Sequence, residues 1–244
     1  MREERTTEAP IVEQRPRLTG PPGRPWSGGG REELAAAVRR LMQLTVTSAP
    51  SPGVLVDVAA RIEAVADALE FAVPDDSGPV ARFAGYDVAP DQRSGLTDAM
   101  PFDMVAGRCN PVAPPLEVWF DPPVARGRVV YGPVNEGAPG MVHGAALAAT
   151  FDIVLTAANV LADAAGPTVE LTIRYRKPTL IGVESTFESE VTDVTERRTF
   201  SRGVLVQNGV VTVEAVGEFV NMDRARIAAL HREQTADVGP GGPA

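Results

Sequence analysis

The sequence predicts an α+β protein in which an antiparallel sheet wraps one long central helix, preceded by an N-terminal helical hairpin. Three observations predict this. The run from His143 to about Ala165 is apolar or small on every face, with Asp152 the only charge between His143 and Asp163, and a helix apolar all round is a buried one. Four strand candidates follow it, and Asn208-Gly209 between the last two is a strong two-residue hairpin signal, because both residues tolerate the positive φ of a type I′ turn. About two more strand candidates precede the helix. One helix among hairpin-linked strands makes an α+β plan rather than an alternating βαβ one.

Taken in order, residues 1–30 end in Pro21-Pro22-Gly23-Arg24-Pro25-Trp26-Ser27-Gly28-Gly29-Gly30. They hold too little apolar bulk to offset chain ordering, and read as a disordered tail. From Arg31 to about Thr47, Leu34, Val38 and Leu41 recur at helical spacing beside the helix-favouring Ala35, Ala36 and Ala37. Ser51-Pro52 then supplies an N-cap and a first-turn proline, and Leu55, Val58, Ile62, Val65 and Leu69 form a second stripe. The short Ser48–Ser51 link between the two suggests an antiparallel hairpin over residues 31–73, packed on the main domain or on a second subunit.

Residues 74–104 read as a linker, within a loop-rich stretch broken by Asp75-Asp76-Ser77-Gly78-Pro79 and by Pro111-Val112-Ala113-Pro114-Pro115. The main domain is expected over 105–222. Its strands are Leu116 to Phe120, Gly127 to Gly132, Thr168 to Arg176, Glu184 to Asp193, Thr199 to Gln207 and Val210 to Asn221. Val169, Leu171, Ile173 and Tyr175 alternate with Thr168, Glu170, Thr172 and Arg174, the period of a half-buried strand. Residues 223–244 read as a short surface helix and a Gly/Pro-rich tail.

Composition narrows the function. A net charge of −9 opposes a phosphate-backbone ligand, so no nucleic acid is expected. A single cysteine, Cys109, with two histidines gives neither a disulfide nor a zinc pattern; no metal and no cofactor are expected, and a reducing compartment fits. No uninterrupted apolar window long enough to span a bilayer and no leader-type segment are found, so the expected location is cytoplasmic, without membrane insertion.

The chemistry concentrates around the central helix. Burying the Asp152 carboxylate costs several kcal/mol unless it is paired, hydrogen-bonded or protonated, so it is either a structural cap or a catalytic group. Upstream, Gly137-Ala138-Pro139-Gly140-Met141-Val142-His143-Gly144 feeds the helix N-terminus, where unpaired N–H groups favour a developing oxyanion. Gly144 allows close approach to the backbone, and His143 is a structural hydrogen-bonder or a substrate contact. Gly144 and Asp152 stand eight residues apart, roughly 12 Å along a helix, too far for both to act on one carbonyl. A symmetric dimer with antiparallel central helices resolves this, Gly144 of one chain facing Asp152 of the other.

The run Gly137-Ala-Pro-Gly-Met-Val-His143-Gly144-Ala145-Ala-Leu-Ala-Ala-Thr-Phe-Asp152, the strand from Thr168 to Tyr175-Arg-Lys-Pro178 and the closing Gly217-Glu-Phe-Val220 resemble the hotdog-fold thioesterases of the PaaI-like branch. Arg108-Cys109-Asn110-Pro111 with Leu116 resembles that family's lead into the first strand. The resemblance covers roughly residues 105–222. It implies that Asp152 activates water or attacks a thioester carbonyl directly, that Gly144 gives the oxyanion-hole amide with His143 beside it, and that Thr168 helps hold the attacking water. It also implies an acyl-CoA substrate and a homodimer, with a dimer of dimers as a further option. Arg174, Arg176 and Lys177 at a strand end, and Arg197 and Arg198 at a hairpin, are candidates for the phosphates of coenzyme A. Two departures stand out: Ala145 replaces a second glycine, and Gly137, with Asn135 and Glu136 just upstream, replaces an Asn that touches the nucleophile in some relatives.

A thioester hydrolase is the leading expectation. The alternative is a non-catalytic hotdog module that binds acyl-CoA or an acyl group, against which Asp152 speaks. A hotdog hydratase would want a histidine paired with the helical Asp, and none follows Asp152 until His231.

Overall fold

A computed structural model describes residues 30–71, 96–97 and 100–222. The expected tails and most of the 74–104 linker lie outside the described residues. Six strands form one antiparallel sheet: β1 Glu117–Asp121, β2 Val124–Val130, β3 Thr168–Tyr175, β4 Glu184–Val194, β5 Arg198–Gln207 and β6 Val210–Val220, in the order β1-β2-β4-β5-β6-β3. Two helices, α1 Arg31–Thr47 and α2 Pro52–Glu70, precede them, and α3 Gly144–Leu161 falls between β2 and β3. This is the predicted α+β plan, the hotdog arrangement of a sheet curled around one helix.

The all-apolar character of α3 explains its place. Leu147, Phe151, Ile153, Val154, Leu155, Ala157 and Ala158 are buried, and the helix packs across β2, β4 and β5. Phe151 meets Phe187 of β4 edge to face at 5.2 Å, a favourable arrangement of ring quadrupoles. Leu155 sits over two glycines: a Cβ at Gly203 would lie 3.3 Å from its Cδ2, and one at Gly217 3.1 Å from its Cδ1. Side chains there would press on Leu155. α3 is also long and apolar enough to cross a membrane by length and composition, but half of it is buried inside the fold, as suits a core helix.

The helix stops at Leu161 rather than near Ala165. Asp163 adopts φ 55°, and the N–H groups of Ala162, Asp163 and Ala164 return to the carbonyls of Ala158, Val160 and Asn159, a left-handed C-terminal stop. The Asn208-Gly209 turn has φ 50° and 75° and joins β5 to β6 as the sequence predicts.

Two expectations change upstream. The helices form where predicted, but α2 buries none of its side chains, whereas α1 docks on the domain. Ala35 of α1 is buried, and the Arg39 guanidinium donates to the carbonyls of Ala113 and Asn110 at 2.9 and 3.2 Å. The Ser48–Ser51 link is extended at both ends. Second, the domain core reaches back beyond residue 105: Leu96 and Met100 are buried within it, so the end of the expected linker is part of the packed unit.

Candidate active site

Two groups of polar side chains stand at different levels of α3. The first is at its N-terminus. His143 is the N-cap, and its Nδ1 accepts the Ala145 N–H at 3.0 Å, which places its ring proton on Nε2 when the imidazole is neutral. Its own N–H donates to the Asn135 carbonyl at 2.7 Å. Asn135 belongs to a 3₁₀ turn, Pro133–Asn135, on which α1 rests. Thus Asn135 serves the site through its backbone.

Gly137 packs directly against His143. A Cβ there would lie 3.0 Å from His143 Cα and 3.1 Å from its Cδ2, so a side chain such as Asn would press on His143.

Residues His143 and Gly144 open onto a cleft of about 730 Å³, with Met141, Leu147 and Tyr175 among its apolar lining and Arg176 and Lys177 at its rim. Tyr175, the last residue of β3, donates its hydroxyl to the Gly144 carbonyl at 3.0 Å. Arg176 is bonded to Glu214 at 2.7 Å. That bond, helped by the nearby charges of Arg176 and Arg174, holds the Glu214 carboxyl below its ordinary value. Arg174 is exposed on β3, opposite Glu214 in register.

The second group centres on Asp152, two turns along the helix. It is partly buried rather than fully enclosed, and the Thr168 hydroxyl donates to its Oδ1 at 2.6 Å. Thr168 opens β3 as Tyr175 closes it, so one edge strand touches both groups from its two ends. Arg197 and Arg198 lie at the β4–β5 turn, beside the Thr168 end: Asn221 N–H donates to the Arg197 carbonyl, and Val220 N–H to that of Pro167. Arg198 is engaged with Glu218 at 2.7 Å.

Within one chain, then, the cleft brings together His143, Gly144, Arg176 and Lys177. Asp152, Thr168, Arg174, Arg197 and Arg198 are not among the residues that line it. The basic candidates divide between the two ends of the sheet. Sequence reasoning missed Tyr175, whose strand alternation marks its face but not its partner. Among the described residues no group of acids, histidines and cysteine could hold a metal.

Residues 139–214, which contain both groups, match the family model of the thioesterase superfamily. A crystal structure of another thioesterase superfamily protein is 27% identical, with a TM-score of 0.66, over 84% of this chain and 95% of that one. Such coverage is too great for residues 100–222 alone, so the likeness takes in part of the segment before them. Two further solved proteins match less of the chain. A mutant form of the phenylacetic acid degradation protein PaaI from Thermus thermophilus is 18% identical over 44% of this chain and 93% of its own, with a TM-score of 0.41. A hypothetical thioesterase from Streptococcus pneumoniae, solved with coenzyme A, is 16% identical over 45% and 90%, with a TM-score of 0.42. No curated protein matches the chain.

Proposed function

We propose that this thioesterase-superfamily protein hydrolyses acyl-CoA thioesters to the free acid and CoA, in a site shared between two subunits. The observation that carries the reading is the Asp152 carboxylate, alone on an apolar helix and held by the Thr168 hydroxyl at 2.6 Å. A held carboxylate with one oxygen free of that bond can take a proton from water as the water attacks the thioester carbon, or can attack that carbon itself. The carbonyl oxygen becomes an oxyanion beside the Gly144 N–H, and its collapse expels the CoA thiolate, which takes up the proton. The weak resonance of a thioester lets one general base and one good donor suffice.

Asp152 and Gly144 of one chain cannot reach the same carbon, so the reading includes a homodimer in which α3 helices run antiparallel. β3 supports this: among the described residues it is an edge strand paired only with β6, eight residues long, with Val169 and Tyr175 exposed. An uncovered edge of that length invites a second chain. In such a dimer Arg197 and Arg198 of one chain approach the Arg176 and Lys177 end of the other, assembling the divided basic groups into a rim for the phosphates of CoA. No cofactor takes part in this scheme, and we place the protein in the cytoplasm.

The experiment is release of free CoA thiol from a panel of aliphatic and aromatic acyl-CoAs by wild type and by Asp152→Ala of the same oligomeric state. Turnover lost in the variant supports hydrolysis. An inert wild type that still binds acyl-CoA would make the domain a non-catalytic acyl-CoA binding module.

A further inference from the structure

Gln207, the last residue of β5, is buried, and its side-chain amide engages both backbone groups of Leu180. Its Oε1 accepts the Leu180 N–H at 2.8 Å, and its Nε2 donates to the Leu180 carbonyl at 3.0 Å and to Ser185 Oγ at 2.9 Å. The two Leu180 groups belong to successive peptides, and each peptide is held on its far side by the turn before α3. The carbonyl of the Thr179–Leu180 peptide accepts the Val142 N–H at 2.8 Å, and the N–H of the Leu180–Ile181 peptide donates to the Gly140 carbonyl at 3.1 Å. Each path continues by one more peptide: the Met141 carbonyl accepts the Gly137 N–H, and the Met141 N–H donates to the Ala138 carbonyl, both at 2.9 Å.

Two chains of hydrogen-bonded peptides thus run side by side from the Gln207 amide to Gly137 and Ala138. Gly137, Ala138, Met141, Val142 and Thr179 all line the cleft. The Leu180 side chain is 43% exposed, so its packing does little to fix the segment. Thr179 and Gly182 are tied separately, to Thr212 Oγ1 and to the Tyr131 carbonyl, so losing the Gln207 amide loosens the middle of the segment without releasing its ends.

We propose that Gln207 is a positioning residue for substrate binding: its buried amide terminates both peptide chains and so fixes the cleft wall made by residues 137–142 and 177–181. This inference rests on the hydrolytic reading of the cleft. Peptides linked in a chain polarise one another, so a loss at one end weakens the bonds beyond it. A wall meets the substrate alike in the ground state and in the transition state, and loosening it raises KM rather than lowering kcat. The groups assigned to the chemistry are held by other bonds, Asp152 by Thr168 and His143 by the Asn135 carbonyl.

Gln207→Met tests this by keeping an unbranched side chain of similar length and removing the amide. The expected result is a rise in KM of about fivefold on the best acyl-CoA with kcat changed by less than about twofold, at the same oligomeric state. By NMR-detected deuterium exchange the Val142 and Ile181 amides, which Gln207 does not touch, should quicken, while that of Leu155 in the middle of α3 keeps its wild-type rate. Should Gln207→Met fail to fold, Ser185→Ala removes one acceptor of the same amide and should raise KM by about twofold and quicken the same two amides. An unchanged KM or a loss confined to kcat overturns the proposal, and so does a quickening that Leu155 shares equally, the mark of a general loss of stability. Should wild type hydrolyse no acyl-CoA at all, the thioesterase reading falls separately, and exchange at Val142 and Ile181 then decides: faster exchange keeps Gln207 as the residue that holds this wall, and unchanged exchange ends that role too.

Discussion

Thr168 Oγ1 stands 2.6 Å from Asp152 Oδ1 and donates its proton to it, so the strand that follows the central helix holds the carboxylate the helix presents. A hydrogen bond to a charged group contributes about 1.5–3 kcal/mol, and partial exposure of Asp152 places its value toward the lower end. Thr168→Val, which keeps the shape and deletes the donor, should therefore reduce kcat by roughly tenfold. Asp152→Asn, which removes the base itself, should cost at least about a hundredfold. Steady-state kinetics on one acyl-CoA compare them, and equal losses would mean that Thr168 does more than orient Asp152.

A second prediction concerns pH. The Tyr131 hydroxyl is buried and donates to Thr150 Oγ1 at 2.7 Å, while Thr150 donates on to the Ala146 carbonyl at 2.9 Å. Burial pushes the Tyr131 phenol well above its ordinary value, and the bond to Thr150 offsets only part of that. The neutral phenol is thus favoured by folding. The sign follows: this contribution is fully present below the ordinary phenol value of about 10 and is lost as pH rises beyond it. Tyr131→Phe should destabilise the fold by about 1–2 kcal/mol at neutral pH and flatten the alkaline loss of stability. Urea melts of both proteins at neutral pH and above pH 10 check this; parallel alkaline losses would assign the effect elsewhere.

The distinction between what the sequence discloses and what it withholds is physical. Periodicity discloses a residue's face, so the buried helix, the six strands and the 3-4-3-4 stripe of α2 are readable from spacing alone. Asp152 is readable because one charge on an apolar helix must be accounted for. Register is not readable, and it alone brings the Tyr175 hydroxyl to the Gly144 carbonyl, 31 positions earlier in the chain. Nor does a stripe name its partner. α1 and α2 show comparable patterns, yet α1 docks through Arg39 on the carbonyls of the 108–113 loop, a contact carried by a charged side chain rather than by the stripe. The tight seat of Gly137 against His143 likewise depends on a turn whose closure no local pattern specifies.

The core makes a prediction of its own. Gly217 on β6 faces Leu155, and a Cβ there would come within 2.5 Å of Phe219 Cε2 and 3.1 Å of Leu155 Cδ1. Phe219 and Leu155 are fully buried, so neither can swing into solvent to make room. Overpacking of this kind costs about 1–3 kcal/mol, more than the conformational gain of about 0.4–1 kcal/mol that Gly→Ala brings at an unstrained site. Gly217→Ala should therefore lower the denaturation midpoint with an unchanged slope. A rise in midpoint would show that the helix has room to shift off the sheet.

The sharpest test of a shared site uses proline. Gly144 is the first residue of α3, where an N–H has no place in the helical ladder and proline is tolerated. His143 before it has φ −62° and ψ 135°, a conformation that a following proline favours. Gly144→Pro should thus delete the proposed oxyanion donor with little cost to the helix, its Cβ coming 3.0 Å from the Tyr175 hydroxyl and 3.3 Å from Cζ. Alone, that variant and Asp152→Ala should each be inactive. If each site draws Gly144 from one subunit and Asp152 from the other, a mixed dimer holds one doubly damaged site and one intact site. Co-expression in equal amounts should then restore roughly a quarter of wild-type activity, since about half of randomly assorted dimers are mixed. A site complete within one chain would give no recovery, because every subunit in the mixture carries one of the two lesions.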